Sequence, residues 1–478
     1  MAALLSLSLT GCDSGSRSVI FDSPAPRSTT TTISAPSSVS PANSVRLTAT
    51  VSPSGIGGTV GFYDATNPNK LVYLGEASLS GGTAVFSATF TRPGTRLVQA
   101  RYAGDDPSFA YSDSASSSVP VSVADTSSQA CGLGAASLPI TSGVAAQSNQ
   151  TYSASGSQSA VCVANTGSSL TLTNSIITSS SEGYSYVDQS QGTVYPYDAS
   201  GISAAALAYG SSKTANSGGS LTMNGGSIAT TGSGIAGVFA SGMGSSATLT
   251  GTTISTAGTP SYGAEVGNNG SLTMNGGSIA ATGTVAAILD SGSLNFTNTA
   301  LSSTGSTAAT IEMISTTNSA ASTSTFTMNG GSLSTTSGVL FYLLDGQAAT
   351  ISLTNVTLTG VNTLLQVYDY TLGLAQSITL NVSHQILSGG FHGSLNLQNA
   401  SVFTGICNFN SISLDTSSQW VLTGNDSVYR LSDAAGIQGT SITNIVGNGH
   451  TISYSSAANP SLGGQTYALS GGGLLKPQ

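Results

Sequence analysis

Chemistry on a polymer substrate needs carboxylates brought together, with a cationic partner to receive developing charge. After residue 130 the carboxylates of this chain are single and dispersed. Five recur at a near-regular interval: Glu265, Asp290, Glu312, Asp345 and Asp369. In a chain that folds in stacked layers, that interval would line them up as an acidic ridge. The preferred reading is plainer, namely that a polar corner recurs once per layer. No Lys or Arg stands between Lys213 and Arg430, so a ridge would lack its electrophilic partner. The acids are also too sparse for a dedicated calcium loop. The three histidines, His384, His392 and His450, are too scattered to make a metal site. Ser, Thr and Gly are so abundant that any nucleophile motif matches by chance. The expectation is therefore no catalytic residue, no metal and no cofactor.

One segment could bind rather than react. Residues 179–201 hold Tyr184, Tyr186, Tyr195 and Tyr197 together with Asp188 and Asp198, and Tyr is otherwise sparse nearby. Flat rings with a polar tip, set beside carboxylates, suit the faces and hydroxyls of sugars. These six residues are the candidate binding set. The competing reading is an ordinary extra layer, or a loop folded on its own aromatics. Tyr368-Asp369-Tyr370 is a weaker second candidate.

Composition limits the partners, and the first twelve residues carry the localisation signal. Only 6% of the 478 residues are charged, against roughly 25% in an ordinary globular protein. From Ala130 onward the basic residues are Lys213, Arg430 and Lys476. Neutralising a phosphate backbone takes a cluster of cations, so nucleic acid is set aside as a partner. At the start, the apolar run Ala2 to Leu9 leads into Leu9-Thr10-Gly11-Cys12. This segment, residues 1–12, resembles the bacterial lipobox. The resemblance implies cleavage before Cys12, lipid on its thiol, and a membrane partner. Cys131 and Cys162 flank the start of the repeats, and an oxidising compartment allows them to bridge. Closing that loop would contribute roughly 3–4 kcal/mol in the chain-entropy model. Cys407 sits among apolar neighbours and is expected to be a buried filler.

The elements that position these residues fall into three stretches. Residues 13–32 are rich in Ser, Thr and Pro and read as an extended tether. Residues 33–124 alternate with period two, as in Val45 to Val51, Ala84 to Phe90 and Leu97 to Tyr102, with turn residues between. Short strands at that spacing predict a β-sandwich. The stretch resembles the bacterial immunoglobulin-like repeat family through Gly58-Thr59-Val60-Gly61-Phe62-Tyr63-Asp64, Leu74-Gly75, Gly82 to Phe86 and Tyr102-Ala103-Gly104-Asp105. That family implies a spacer on an exported protein, with no catalytic residues.

From 130 to 478 the chain repeats itself. Gly219 to Ile228 recurs nearly letter for letter as Gly270 to Ile279. The second apolar residue of each copy gives the marks Met223, Leu249, Met274, Phe296, Met328 and Leu353, and later Leu380, Leu397, Leu414 and Leu431. Periods of this size mean solenoids. Asn174, Asn224, Asn275, Asn329 and Asn355 follow the apolar marks and are expected to take left-handed corners. The stretch resembles the β-helical passenger regions of bacterial autotransporter adhesins. Ser441 to Lys476 is expected to close the open end.

Together these readings predict an all-β protein: an Ig-like β-sandwich followed by a right-handed parallel β-helix with a C-terminal cap. The expected function is a lipid-anchored surface protein that is structural or adhesive, with a glycan or cell-surface protein as ligand. Two alternatives are a polysaccharide-active β-helix enzyme, lyase or hydrolase, and an ice-binding solenoid, for which the Thr-x-Thr pairs Thr171/Thr173 and Thr248/Thr250 speak.

Overall fold

Alternating apolar and polar residues with few helix formers leave strands as the natural regular element. A computed structural model describes residues 27–478 apart from 40–43, 68–69, 91–93, 105–110, 124–135, 156–158, 182–184, 189–192, 197–203, 211–216, 260, 283–284, 306–308, 315–322, 345–347, 369–377, 392, 408–410 and 434. Among the described residues every regular element is a strand, save one 3₁₀ turn at Pro460–Leu462. No helix among them is long and apolar enough to cross a membrane.

The N-terminal unit is two packed sheets. One holds Thr30–Ser34, Ser44–Ser52 and Thr83–Thr89, all antiparallel. The other is built around Gly94–Tyr102, flanked by Thr59–Asn67 and Val119–Val123. Leu47, Phe62, Val98 and Tyr102 are buried between them, and Phe62 stacks on Phe86 at 5.4 Å. The tether reading fails at its end, because Thr30–Ser34 is a sandwich strand. The threonines are β-branched and suit a strand. Their hydroxyls also find partners: Thr29 Oγ1 donates to Ser114 Oγ at 2.7 Å, and Thr31 Oγ1 lies 2.7 Å from the same oxygen.

Beyond residue 136 the pairing changes from antiparallel to parallel. Three ladders run side by side, and the chain visits them in turn. The first contains Val161–Ala164, Ala206–Tyr209, Ile235–Ser241 and onward to Thr363–Tyr368. The second contains Ser169–Thr173, Ser220–Asn224, Ser246–Thr250 and onward to Arg430–Ser432. The third is an eight-stranded sheet from Thr151–Ala154 to Thr357–Thr359. Met223, Leu249, Met274, Phe296, Met328 and Leu353 are register partners in one unbroken column of the second ladder. All six are buried. In the third ladder Ile177, Ile228, Ile254, Ile279, Leu301 and Leu333 form the facing column. Truncating one such residue to Ala would cost about 2–5 kcal/mol.

The corner after the second ladder is left-handed once per layer. Asn174, Gly225, Gly251, Gly276, Asn298, Gly330, Asn355 and His384 have φ between 48° and 69°. Asn174 N–H donates to the carbonyl of Asn224, and Gly225 N–H to that of Thr250, so the corners are tied layer to layer. This corrects the corner assignment for Asn224, Asn275 and Asn329, where the following Gly takes the strained conformation because it has no Cβ to clash. Asn174 and Asn355 do adopt it.

Past residue 360 the third ladder stops, and Ile386–Gly390, Val402–Ile406 and Gln419–Val421 continue the stack opposite the second. Losing one strand per layer explains why the sequence interval shortens there. The even spacing of the last marks is not the register, however. Leu380 pairs with Leu395, Leu397 with Leu414, and Ile412 with Leu431. The run ends at Tyr467–Ser470 and Leu474–Pro477, which pair antiparallel with each other. Cys407 is buried and not disulfide-bonded; burial first, and then Asp426, push its thiol well above the ordinary value. Cys162 is disulfide-bonded; Cys131 and Cys12 lie outside the described residues.

Candidate functional site

The tyrosine-rich segment leaves the ladders. Ile177 in one layer pairs directly with Ile228 in the next, and Leu172 with Met223. Among the described residues, the intervening chain joins the ladders through Ala206–Tyr209. Ser185–Asp188 and Thr193–Pro196 form an antiparallel pair of their own, a two-stranded sheet joined to no other. Tyr186 stands opposite Tyr195, and Asp188 opposite Thr193. Positions two apart on a strand and positions opposite across a pair belong to one face; 186, 188 and 195 are such positions. Tyr184, Tyr197 and Asp198 lie outside the described residues.

Where the chain ends its third-ladder strand, at Ser179 and Ser180, lies a shallow groove of about 420 Å³. Ser153, Ser155, Thr178, Ser179, Ser180 and Thr231 line it, with Ala154 and Ala229. Its polar groups are hydroxyls, which donate and accept, and it carries no charged side chain. Nothing in the sequence signals the groove, because its residues are unexceptional until the third ladder places them together.

The acidic ridge is not a line. Glu265 pairs with Ile288, and Ile288 with Glu312, so the two acids share a column with an isoleucine between them. Asp290 aligns with Gly267, two positions along. Asp345 and Asp369 lie outside the described residues. Nor is the column a surface. Glu265 is 5% exposed and Asp290 3%. Around them Leu207, Tyr209, Phe239, Tyr262 and Ile288 form a second apolar cluster on the outer face of the first ladder, with Tyr342 packed against it. Burial pushes the Glu312 carboxyl up to about 7. Burial first, and then Glu312 and Glu265, raise the Tyr262 hydroxyl well above its ordinary value. Two strand spacings, roughly 9–10 Å, separate the two glutamate backbones. The polar-corner reading is corrected for Glu265 and Glu312, which sit within strands, whereas Asp290 directly precedes the left-handed Ser291 and Gly292.

Sequence reasoning missed this cluster, although a signal was present. Ala204 to Tyr209 and Val285 to Leu289 are unbroken apolar runs, as strands covered on both faces require. Of the histidines, His384 takes a corner and His450 a turn near the end, while His392 lies outside the described residues. No group of three metal-ligating side chains occurs among the described residues.

The outer face of the second ladder differs again. Thr171, Thr222, Thr248 and Thr273 are register partners, continued by Asn295 and Thr327. Beside them Ser246 Oγ donates to Ser220 Oγ at 3.0 Å, and further on Asn396 Nδ2 donates to Asn381 Oδ1 at 2.7 Å.

No curated protein matches the chain. Residues 31–124, which hold the two packed sheets, match the family model of the bacterial Ig-like domain (group 3).

Proposed function

We propose that this chain is an exported surface protein, anchored by lipid at Cys12, in which the Ig-like domain is a spacer and the three parallel ladders wind as a right-handed β-helix. The helix presents the hairpin and the groove to a glycan or a cell-surface protein. The observation that carries the reading is the hairpin: an aromatic-rich strand pair forms a two-stranded sheet of its own, outside the parallel ladders. Loops held by rigid scaffolds are where binding concentrates. Tyr184, Tyr186, Tyr195 and Tyr197 stack on sugar faces, Asp188 and Asp198 accept from sugar hydroxyls, and the groove extends the contact. Domains of the Ig-like kind are typical of extracellular bacterial proteins, where a bridge between Cys131 and Cys162 would persist. No catalysis is assigned. Of the first-ladder acids Glu265 and Asp290 are buried and Glu312 half-buried, and no cation stands beside them in sequence.

A glycan array probed with the full-length protein tests the reading. Binding to a defined set of glycans is expected. Release of unsaturated or reducing ends from uronic-acid polymers, abolished by Glu265→Gln or Glu312→Gln, would replace it with the enzyme reading. Palmitate labelling that survives Cys12→Ala would remove the anchor.

A second reading is favoured by one feature. The Thr column keeps its register even where layer lengths differ. Regular hydroxyls at strand spacing suit an ordered lattice such as ice, and thermal hysteresis by the purified protein would support that reading over the first.

A further inference from the structure

We propose that Asp433 carries a proton in the folded protein and pairs, as a carboxylic acid, with the side-chain amide of Asn444. The pair would lock the turn that follows the last strand of the second ladder. Asp433 comes directly after Arg430–Ser432 and is 3% exposed. Asn444 lies in Ser441–Val446. Asp433 Oδ1 accepts from Asn444 Nδ2 at 2.8 Å and from the Gly436 N–H at 3.1 Å. The other oxygen of each side chain, Asp433 Oδ2 and Asn444 Oδ1, is buried without a hydrogen-bond partner. Both crowd the same spot. A Cβ on Gly436 would run into Asn444 Oδ1 and would stand 2.6 Å from Asp433 Oδ2. The carboxyl and the amide therefore meet edge to edge.

Such an edge has a simple constraint. A carboxylate offers only acceptors, and an amide offers one donor side and one acceptor side. However the amide is turned, one oxygen faces another, so reversing Asn444 changes which oxygen is stranded and removes no conflict. A single proton on Asp433 Oδ2 resolves it. The acid O–H then donates to Asn444 Oδ1 while Asn444 Nδ2 donates back to Asp433 Oδ1. No bond other than O–H and hydrogen bonds forms or breaks, and the proton comes from solvent on folding.

The surroundings agree. Burial raises the Asp433 acid above its ordinary value, only partly offset by the bonds from Asn444 and Gly436. The titratable groups on the adjoining elements are Asp415, Arg430 and Tyr467. Asp415 offers its backbone carbonyl to Asn444 at 3.5 Å, and its carboxylate is held by Asn399, Ser417 and Ser418. Arg430 is exposed. No charge on these groups contributes to the Asp433 shift.

Because the folded value lies above the unfolded one, the stabilisation is complete below the ordinary carboxyl value of about 3.9 and fades as pH rises through the folded value. Over that window the folded-to-unfolded ratio falls up to about tenfold per pH unit. Asp433→Asn replaces the O–H by an N–H, so the ring survives without a titrating group. Two measurements on the full chain test this. At about pH 5, where an ordinary carboxyl is ionised, the infrared difference between wild type and Asp433→Asn should contain the stretch of one protonated carboxyl. Thermal unfolding of Asp433→Asn should also depend less on pH than that of wild type, with no loss of stability at neutral pH. Absence of the protonated band overturns the proposal. So does a variant destabilised at every pH in a background where added sodium or calcium stabilises wild type, since a cation would then hold the two oxygens.

Discussion

The first and second ladders are made by the same turns of chain and carry opposite outer faces. Strands of the second ladder, such as Ser220–Asn224 and Ser246–Thr250, bury alternate residues and show Ser and Thr outward. Strands of the first, such as Ala206–Tyr209 and Ile235–Ser241, are buried at every position. Neighbours in one layer share backbone hydrogen bonding and inner core, so the outer faces alone set them apart. One is a plain wall. The other holds a second apolar cluster that includes Tyr262, whose hydroxyl feels Glu312 and Glu265. A parallel ladder fixes position and leaves each outer face free to specialise.

The largest effect should come from substitutions that test this asymmetry directly. Phe239 on the first ladder is 1% exposed, and Phe239→Ala should destabilise by about 3–5 kcal/mol. Thr248 on the second ladder is only half-buried, and Thr248→Ala should stay within about 0.5–1 kcal/mol. Denaturant unfolding measures both, and equal losses would mean that the two outer faces do not differ as described.

A smaller, pH-dependent effect should separate the same faces. Burial holds the Glu312 carboxyl up to about 7, above its unfolded value. Its contribution to stability is therefore full in acid, below the ordinary carboxyl range, and is lost as pH rises through about 7. Glu312→Gln should flatten that decline, which amounts to up to about tenfold in the folded ratio per pH unit. Thermal unfolding from pH 4 to 8 tests it; an unchanged slope in the variant would place the carboxyl in contact with water.

The smallest effect belongs to a half-buried acid just past a strand of the second ladder. Burial tends to raise Asp415, but bonds from Asn399, Ser418 and Ser417 outweigh it and hold the carboxyl down to about 2. With a depressed folded value, its stabilisation is present above the ordinary carboxyl value and disappears as pH falls through about 2. Asp415→Asn should therefore matter slightly at neutral pH and not at all in strong acid, as read from melting curves. A loss that persists at pH 2 would assign the effect to packing.

Legibility followed the same divide. Alternation in Ser-Leu-Thr-Met-Asn made the second and third ladders readable, and the apolar marks from Met223 to Leu353 are true register partners. Ala204 to Tyr209 has no period to read, because a strand covered on both faces needs none. Its outer cluster, with Tyr262, went unseen. The acids gave a period without a phase: spacing showed that they recur, but not that Glu265 and Asp290 sit two positions apart in register. The Asp433–Asn444 pair depends on a turn that brings two strands edge to edge, and no sequence interval signals that. The hairpin was legible as an excess of residues and of tyrosines and as a break in the repeat, whereas its pairing as two antiparallel strands was not.

The most direct test of the central claim replaces Tyr184, Tyr186, Tyr195 and Tyr197 together by Ser and measures adhesion and thermal unfolding in the full-length protein. A platform standing off the ladders predicts lost binding with unfolding shifted by less than about 0.5 kcal/mol. If the variant unfolds several kcal/mol more easily, the tyrosines are part of the packed stack, and the binding platform is contradicted even if adhesion falls as well.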